Sequence, residues 1–395
     1  MKKLITLVGT SLFRNYSEVN SKVIDRDWNL IKDGKGRNRT KDTWEKFSKD
    51  IERIRKPVLE WARNNYNASA EIKSTLSIQS EVQDDLEVYL LATDTLDSKL
   101  ASEIIKEVID GYKSKDDKVI KIASITIVEG LQVFNRSRLE KEGLTNLVDE
   151  IYKILGYHYP GEENVLLNIT GGYKCIIPYL TVLAQINQAP LYYIFDETEE
   201  LIRIPQAPLD INWGMFEKYK NAIDQLEKGV NKSWAEFKRE HGIGEDFKAC
   251  IYEFEEGILL SPIGEMFMRR YESFFVVKMP IGGKYYGEEE TMKNQLKEAI
   301  KDLYRRLMSL SVPFEQLTDD IIKHASIRDS WIFKYNKKDN QIRIQYKYNP
   351  ENKEITIFNY YFKKGSSFEE NYSNRMAEQY EDIRNGSFTF VTFEK

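Results

Sequence analysis

The stretch Val165–Lys174, read V-L-L-N-I-T-G-G-Y-K, contains residue types that can bind a phosphate group. Its apolar start predicts a short strand, and Gly171 and Gly172 predict a tight turn before a helix. The N–H groups at the start of a helix point outward, glycines let a ligand approach the backbone, and Lys174 adds a positive charge. Because the spacing matches neither G-x-G-x-x-G nor the P-loop, an ordinary strand-to-helix connection stays open as the alternative.

A second loop with suitable residues, Gly9–Ser11, follows the apolar strand predicted over Leu4–Val8. Its hydroxyl and backbone N–H groups can hold a phosphate or cap a helix. Thr93–Thr95 follows a further predicted strand, Leu86–Ala92. Ligands of parallel sheets bind beyond the carboxyl ends of the strands, so we expect these loops to share one rim with Asn168–Lys174.

Basic side chains in the C-terminal part could bind RNA. Residues 321–364 contain ten Lys and Arg against four Asp and Glu, although the whole chain has a net charge of −5. Arg343, Gln345 and Lys347 alternate with apolar and aromatic residues along a predicted strand, so they should share one face. Such a face can bind an RNA backbone and stack bases. A solvated surface strand is the alternative interpretation.

The elements that position these residues divide the chain into three predicted domains. In residues 1–205 strands alternate with helices, which predicts an α/β fold with a parallel, doubly wound sheet. Residues 206–280 begin with a proline-containing linker, and Ser261 and Pro262 after an apolar strand are typical of the helix start in a winged helix. Because this region is acidic, we favour a connecting or dimer-forming module over a DNA-binding one.

The third predicted domain, residues 281–395, has helices before and after a run of strands. We expect a helix over Glu298–Leu310 and a second one over Phe314–Lys323. Alternation and turn residues predict the strands Trp331–Tyr335, Gln341–Tyr348 and Glu354–Phe362.

Composition limits the chemistry that the 395 residues can perform. Two cysteines support neither a disulfide framework nor a metal cluster, and the three histidines lack the spacing of metal ligands. No apolar run reaches the roughly 18 residues that a membrane span needs. We therefore expect a soluble, cytoplasmic protein without a metal, a cofactor or a membrane contact.

Four motifs in order resemble the CRISPR-associated Rossmann-fold (CARF) sensors: V-G-T-S-L at Val8–Leu12, A-S-A-E at Ala68–Glu71, L-L-A-T-D-T at Leu90–Thr95 and N-I-T-G-G-Y-K at Asn168–Lys174. The resemblance covers residues 1–205 and implies a Rossmann-like domain that binds a cyclic oligoadenylate, most often cyclic tetra-adenylate, across a homodimer. A ring with two-fold symmetry needs two copies of the site. The residues implied to contact the ring are Gly9, Thr10, Ser11, Asn168, Thr170, Gly171, Gly172 and Lys174.

Residues 295–384 resemble the RelE and HigB toxin ribonucleases in the order of their parts. These are helices, the strands W-I-F-K-Y, I-R-I-Q-Y and I-T-I-F-N-Y-Y-F-K-K, and the helix Y-S-N-R-M-A-E-Q-Y. Members of that family cut mRNA, usually inside the ribosome, without a metal. The resemblance implies an α+β domain in which cations hold the phosphorane charge, while a base and an acid move protons. The implied catalytic residues are Lys334, Arg343, Lys347, Lys363, Lys364, Tyr372 and Arg375.

Together the resemblances predict an endoribonuclease of type III CRISPR antiviral defence, allosterically activated by a cyclic oligoadenylate. The chain lacks the family's arginine at 363 or 364, which leaves the base and the acid unassigned. Glu351-Asn352-Lys353, with Asp339 upstream, fits the short motif of metal-dependent restriction-type nucleases, although it lies in a predicted turn. A transcriptional regulator that binds DNA through residues 206–280 is the second alternative.

Overall fold

The computed structural model describes the chain except residues 33–39, 156–163, 196–199, 210, 319, 338–339, 363–371 and 395. The strands are β1 (Lys2–Val8), β2 (Leu86–Thr93), β3 (Ile120–Val128), β4 (Val165–Asn168), β5 (Leu191–Ile194), β6 (Leu201–Ile204), β7 (Ile251–Phe254), β8 (Gly257–Leu260), β9 (Phe274–Pro280), β10 (Ala325–Ile327), β11 (Ser330–Lys337), β12 (Asn340–Asn349), β13 (Glu354–Phe362) and β14 (Phe388–Glu394). The α-helices are α1 (Ser11–Val19), α2 (Asp25–Ile31), α3 (Ser48–Ala62), α4 (Ala70–Val82), α5 (Leu96–Ile109), α6 (Arg136–Arg138), α7 (Leu144–Leu155), α8 (Ile177–Ile186), α9 (Trp213–Lys218), α10 (Lys220–Leu226), α11 (Trp234–His241), α12 (Pro262–Glu272), α13 (Lys284–Gly287), α14 (Glu290–Met308) and α15 (Tyr372–Arg384).

The chain forms two compact units. The first contains residues 1–210 and 222–270, and the second contains residues 211–221 and 271–395. None of the helices in the described ranges is long and apolar enough to cross a membrane.

The first unit contains a six-stranded sheet in the order β3-β2-β1-β4-β5-β6. β1 to β5 run parallel and β6 is antiparallel to β5, which confirms the predicted Rossmann-like α/β sheet. β1 is almost entirely buried because helices cover the sheet, so its apolar run needs no alternation. The strand order reverses between β1 and β4, and a crevice at the carboxyl ends of two such strands is the usual ligand site of this architecture.

Residues 222–270 belong to the first unit and contain α11, the hairpin β7-β8 and most of α12. Ser261 caps α12 as expected, because its Oγ accepts a hydrogen bond from the Gly264 N–H at 3.1 Å. The boundaries of the two units differ from the domain boundaries predicted at residues 205 and 280, because β9 pairs with β13 and β14 in the second unit. That residues 206–280 act as a winged-helix-like connecting module stays a prediction.

The second unit contains a six-stranded sheet in the order β10-β11-β12-β13-β9-β14. β10 to β13 form an antiparallel meander, and β9 lies parallel to β13. The three strands predicted by alternation are present as β11, β12 and β13. α14 packs its apolar side chains onto one face of the sheet, and α15 packs onto the other face.

The helix predicted over Phe314–Lys323 is wrong. Among the described residues of this range, Phe314–Gln316 alone forms a helical turn, and Pro313 precedes it in an extended conformation. The Asp320 carboxylate then accepts the Ile322 and Lys323 N–H groups, which are the donors that a continuing helix would use.

Candidate functional site

The loops after β1 and β4 meet and form a cleft of about 250 Å³. A Cβ on Gly9 would lie 2.8 Å from the Gly172 backbone nitrogen, so the two loops approach as closely as backbone allows. This contact follows from the sheet, because β1 and β4 are hydrogen-bonded neighbours whose carboxyl ends lie side by side. The cleft is lined by seven of the eight residues predicted to bind the ring: Gly9, Thr10, Ser11, Thr170, Gly171, Gly172 and Lys174.

A buried carboxylate, Glu71, joins the first loop to the start of α4. Its Oε1 accepts a hydrogen bond from the Gly9 N–H at 2.7 Å, and its Oε2 accepts one from the Ser11 hydroxyl at 3.1 Å. Glu71 is 1% exposed, and the Ser11 Oγ in turn accepts the Ala70 N–H at 3.1 Å. Gly9 and Ser11 therefore direct their donors to the protein's own carboxylate, which corrects the expectation that both face a phosphate.

The two glycines of the second loop are required by close contacts. A Cβ on Gly171 would collide with the Glu71 carboxylate and would lie 2.6 Å from the Leu7 carbonyl oxygen. Gly172 has a φ of +83°, which lies in the left-handed region that side chains disfavour. The glycine pair thus lines the cleft, and the approach of a ligand to its backbone stays a prediction.

Asn168 and Thr170 hold this loop in place. Asn168 is 1% exposed, and its amide donates to the Ser74 hydroxyl at 2.7 Å while its Oδ1 accepts the Thr170 N–H at 3.2 Å. The Thr170 hydroxyl accepts the Ile194 N–H at 3.0 Å. The expectation that the Asn168 side chain faces a ring of phosphates is therefore corrected, because its polar atoms are used inside the fold.

Two cations line the cleft. Lys174 and Arg14 both line it and are exposed, and neither forms an ion pair with a residue in the described part of the chain. Their charges outnumber the single carboxylate of Glu71 beside them. Thr10 and the ring of Trp28 also line the cleft, so it offers a hydroxyl and an aromatic surface next to the cations.

The third loop of the rim, Thr93–Thr95, has a structural role. The Asp94 carboxylate accepts the Gly130 N–H at 3.1 Å and is 1% exposed; this burial raises the pKa of Asp94. Thr95 caps α5, since its side chain accepts the Ser98 N–H. These residues connect β2 to α5 and to the loop after β3.

A second candidate site lies on the sheet face under α15. Lys334 on β11, Arg343 on β12 and Tyr361 on β13 are direct partners in the strand register, so they form one row across three strands. Gln345 lies on the same face, as the alternation predicts. We call Lys334, Arg343 and Tyr361 the basic row.

Arg343 is covered, whereas the sequence predicted it to face RNA. It is 0% exposed, and its guanidinium donates to the Asn336 side chain at 3.1 Å. The guanidinium carbon lies 5.9 Å from the ring centre of Tyr372, the first residue of α15. The predicted residues Arg343 and Tyr372 therefore lie close together, but the Tyr372 ring covers the Arg343 guanidinium. Burial beneath α15 is the physical reason for this correction.

The other predicted catalytic residues lie apart from the row or outside the described residues. Lys347 donates to the Asp329 carboxylate at 2.9 Å, and Asp329 also accepts from the Tyr380 hydroxyl on α15. These two hydrogen bonds and the Arg384 charge lower the pKa of Asp329 to about 2. Lys347 therefore belongs to a polar cluster that attaches α15 to the sheet. Arg375 is exposed on α15, and Lys363 and Lys364 lie outside the described residues.

Residues 66–207 match the family model described as CRISPR-associated protein (Cas_APE2256). The match indicates a CRISPR-associated protein of the CARF type. It includes Glu71 and the second glycine loop, and it ends before the second unit begins. This similarity supports a role in CRISPR defence.

The sequence-based reasoning did not identify Glu71, Arg14 or Trp28 as site residues. Glu71 was visible as the last residue of the A-S-A-E motif, but its contact with Gly9 spans 62 positions of sequence. Within the described ranges, no group of three or more histidine, cysteine or acidic side chains is arranged to bind a metal. Glu351-Asn352-Lys353 lies in the turn between β12 and β13, and Asp339 is outside the described residues.

Proposed function

We propose that this protein is a ring-activated endoribonuclease of type III CRISPR antiviral defence. A cyclic oligoadenylate, cyclic tetra-adenylate as the expected ring, binds the first unit of a homodimer. The second unit then cleaves mRNA on the ribosome, in the cytoplasm, without a metal. The observation that carries this proposal is the cleft in which Thr10, Arg14 and Lys174 converge at the strand-order reversal of a CARF-type sheet.

The size of the cleft supports a ligand shared between two chains. Pockets that enclose a drug-sized ligand measure roughly 300–1,000 Å³, and this cleft measures about 250 Å³. A ring of several nucleotides is larger than that, so one cleft would hold one part of the ring. A second copy related by two-fold symmetry would hold the opposite part.

The basic row supports the ribonuclease half of the proposal. RNA cleavage without a metal needs the 2′-oxygen to attack phosphorus, the 5′-oxygen to leave, and cations to stabilise the charge that develops between them. Arg343 and Lys334 are adjacent cations on neighbouring strands, with Tyr361 and Tyr372 beside them. An arginine that is covered by α15 fits an enzyme that stays inactive until its ligand binds.

The binding half of the proposal is tested by titrating the full-length protein with cyclic tri-, tetra- and hexa-adenylate in a calorimeter. We expect one ring to bind two chains, with the cyclic tetra-adenylate binding tightest. Linear tetra-adenylate is the control for nonspecific nucleotide binding. One ring per chain, or equal affinity for the linear control, would contradict the proposed site.

The chemistry is tested with a chelator. Cutting by the ring-activated enzyme should be unchanged in EDTA, because the row supplies fixed cations in place of a metal. The products should carry 2′,3′-cyclic phosphate ends, as expected when the 2′-oxygen attacks. Loss of cutting in EDTA with recovery in Mg²⁺ would favour the restriction-type alternative.

A further inference from the structure

A cleft of about 450 Å³ opens in the second unit between β9, β13 and α15. β9 pairs with β13 only at the start of β13, through Val277 with Ile355 and Lys278 with Thr356. Beyond this point β9 ends at Pro280 while β13 continues to Phe362. The cleft fills the space where the two strands separate, and α15 forms its third wall.

The hydrogen bonds along β13 fix the orientation of a glutamine in this cleft. The Tyr360 backbone N–H donates to the Asn359 Oδ1 at 2.9 Å. Because a backbone N–H can only donate, the other terminal atom of Asn359 is its nitrogen, which donates to Gln379 at 2.7 Å. The acceptor on Gln379 is therefore Oε1, which also accepts the Tyr361 hydroxyl at 3.2 Å. The Gln379 Nε2 donors take part in neither of these hydrogen bonds.

An acceptor lies one helical turn from these donors. Asp382 is three residues after Gln379 on α15, so both side chains project from the same face of the helix, and both line the cleft. Tyr285 and Tyr361 add aromatic walls. Lys284 also lines the cleft, and its Nζ lies 4.7 Å from the Tyr361 ring centre. The Asp382 carboxylate is an acceptor for a base with N–H donors.

Guanine fits this donor and acceptor pattern. Its O6 and N7 accept hydrogen bonds, and its N1–H and N2 amino group donate them. The Gln379 amide nitrogen can donate to O6 while the Asp382 carboxylate accepts from N1 and N2. Adenine has an unprotonated N1 that would face the carboxylate, so it is disfavoured.

The cleft is continuous with the basic row through Tyr361. Tyr361 is the direct register partner of Arg343, and it also lines the cleft. Tyr361 therefore lies at the border between the cleft and the sheet face that α15 covers.

We propose that the cleft between β9, β13 and α15 is a subsite for a guanine base of single-stranded RNA, read by Gln379 and Asp382. The proposal rests on the ribonuclease assignment of the second unit for its biological meaning. It extends that assignment because it names a base and the two residues that select it.

Binding of uncleavable RNA tests the subsite without requiring activity. The full-length protein is titrated with 2′-O-methyl oligouridine hexamers that carry one guanosine, adenosine or cytidine at a central position. One bidentate base contact separates right from wrong bases by about tenfold or more, so we expect the guanosine hexamer to bind about tenfold tighter than the others. Asp382→Asn should abolish this difference. Glu378→Gln, an exposed change on the same helix outside the cleft, should keep it.

Equal affinity of the wild-type protein for all hexamers would overturn the subsite, and so would a guanosine preference that survives Asp382→Asn. Gln379→Ala provides a second variant, which should weaken the guanosine hexamer selectively. Failure of the ribonuclease assignment would appear separately, as absence of ring-dependent cutting by the wild-type protein. A guanosine preference without ring-dependent cutting would support the base-binding site and contradict the ribonuclease assignment.

Discussion

The loops of the cleft beside β1 and β4 and Arg343 of the basic row were predicted from residue types and strand alternation, but the fold exposes them differently. In the first unit Lys174 and Arg14 are exposed at the rim of an open cleft. In the second unit Arg343 is fully buried under Tyr372. Under the proposed function, the first unit has an open site for the ring and the second unit has a closed catalytic site, as a ligand-controlled enzyme would require.

The two faces of the second sheet show why its site could open. On one face α14 packs through Leu296, Ile300 and Leu303 in a large apolar core. On the other face α15 packs through Met376 and Tyr372, and its fully buried Tyr380 contacts the Phe358 ring. Much of its remaining attachment is polar, through Asp329 and Gln379. A helix held this way costs less to displace than one held by a large apolar core.

The largest expected effect is on the covered site. Arg343→Ala should reduce ring-activated RNA cutting by about 100-fold or more, because removing one charge-stabilising group costs about that much in an enzyme. Ring binding should be unchanged, since Arg343 lies in the second unit. Cutting is measured on a labelled RNA, and thermal unfolding checks that the variant folds.

Lys353→Ala is the matched control for Arg343→Ala. Lys353 is an exposed cation in the turn between β12 and β13, away from the basic row. Cutting should persist in this variant. If Lys353→Ala abolishes cutting while Arg343→Ala does not, the active site is the metal-dependent motif in the turn.

The next effect concerns the open cleft. Lys174→Ala should raise the ring concentration needed for half-maximal activation by about tenfold or more, because one charge-assisted hydrogen bond to phosphate contributes about 1.5–3 kcal/mol. Cutting at saturating ring should stay near the wild-type rate. Lys49→Ala, an exposed change on α3, is the control. An unchanged activation curve would mean that the glycine loop is an ordinary strand-to-helix connection without a role in ring binding.

A smaller effect is expected when the packing of α15 against the sheet is weakened. Met376 is completely buried against the sheet, and Met376→Ala should weaken the packing of α15. We expect cutting without any ring to rise by about fivefold, because each 1 kcal/mol shifts such an equilibrium about that much. The rate is measured in the absence of ring and compared with Glu378→Gln, an exposed change on the same helix. A fall in ring-free cutting would show that α15 is needed in its present position.

The smallest expected effect comes from the carboxylate in the open cleft. Glu71→Gln removes a negative charge beside the anion site and keeps an oxygen that can accept the Gly9 N–H. We expect the ring to bind about threefold tighter, as removing one repulsive charge near a surface changes affinity modestly. Calorimetric titration gives the dissociation constant. Weaker binding by Glu71→Gln would mean that the charge is needed to hold the loop.

Local sequence was sufficient to predict much of the fold. The apolar runs and the alternation in β1, β4 and β11 to β13 depend on neighbouring residues, and all five strands are present. Alternation also placed Arg343 and Gln345 on one face. It could not predict that α15 covers this face, because the covering helix is a tertiary feature. Glu71 was missed for the same reason, since its contact with Gly9 joins distant parts of the chain.

Ring dependence of RNA cutting on translating ribosomes tests the central claim most directly. Messenger cuts are mapped after incubation of the full-length protein with ribosomes, with and without each cyclic oligoadenylate. The account predicts few cuts without a ring and abundant cuts with cyclic tetra-adenylate. Cutting that is the same with every ring and with none would contradict it.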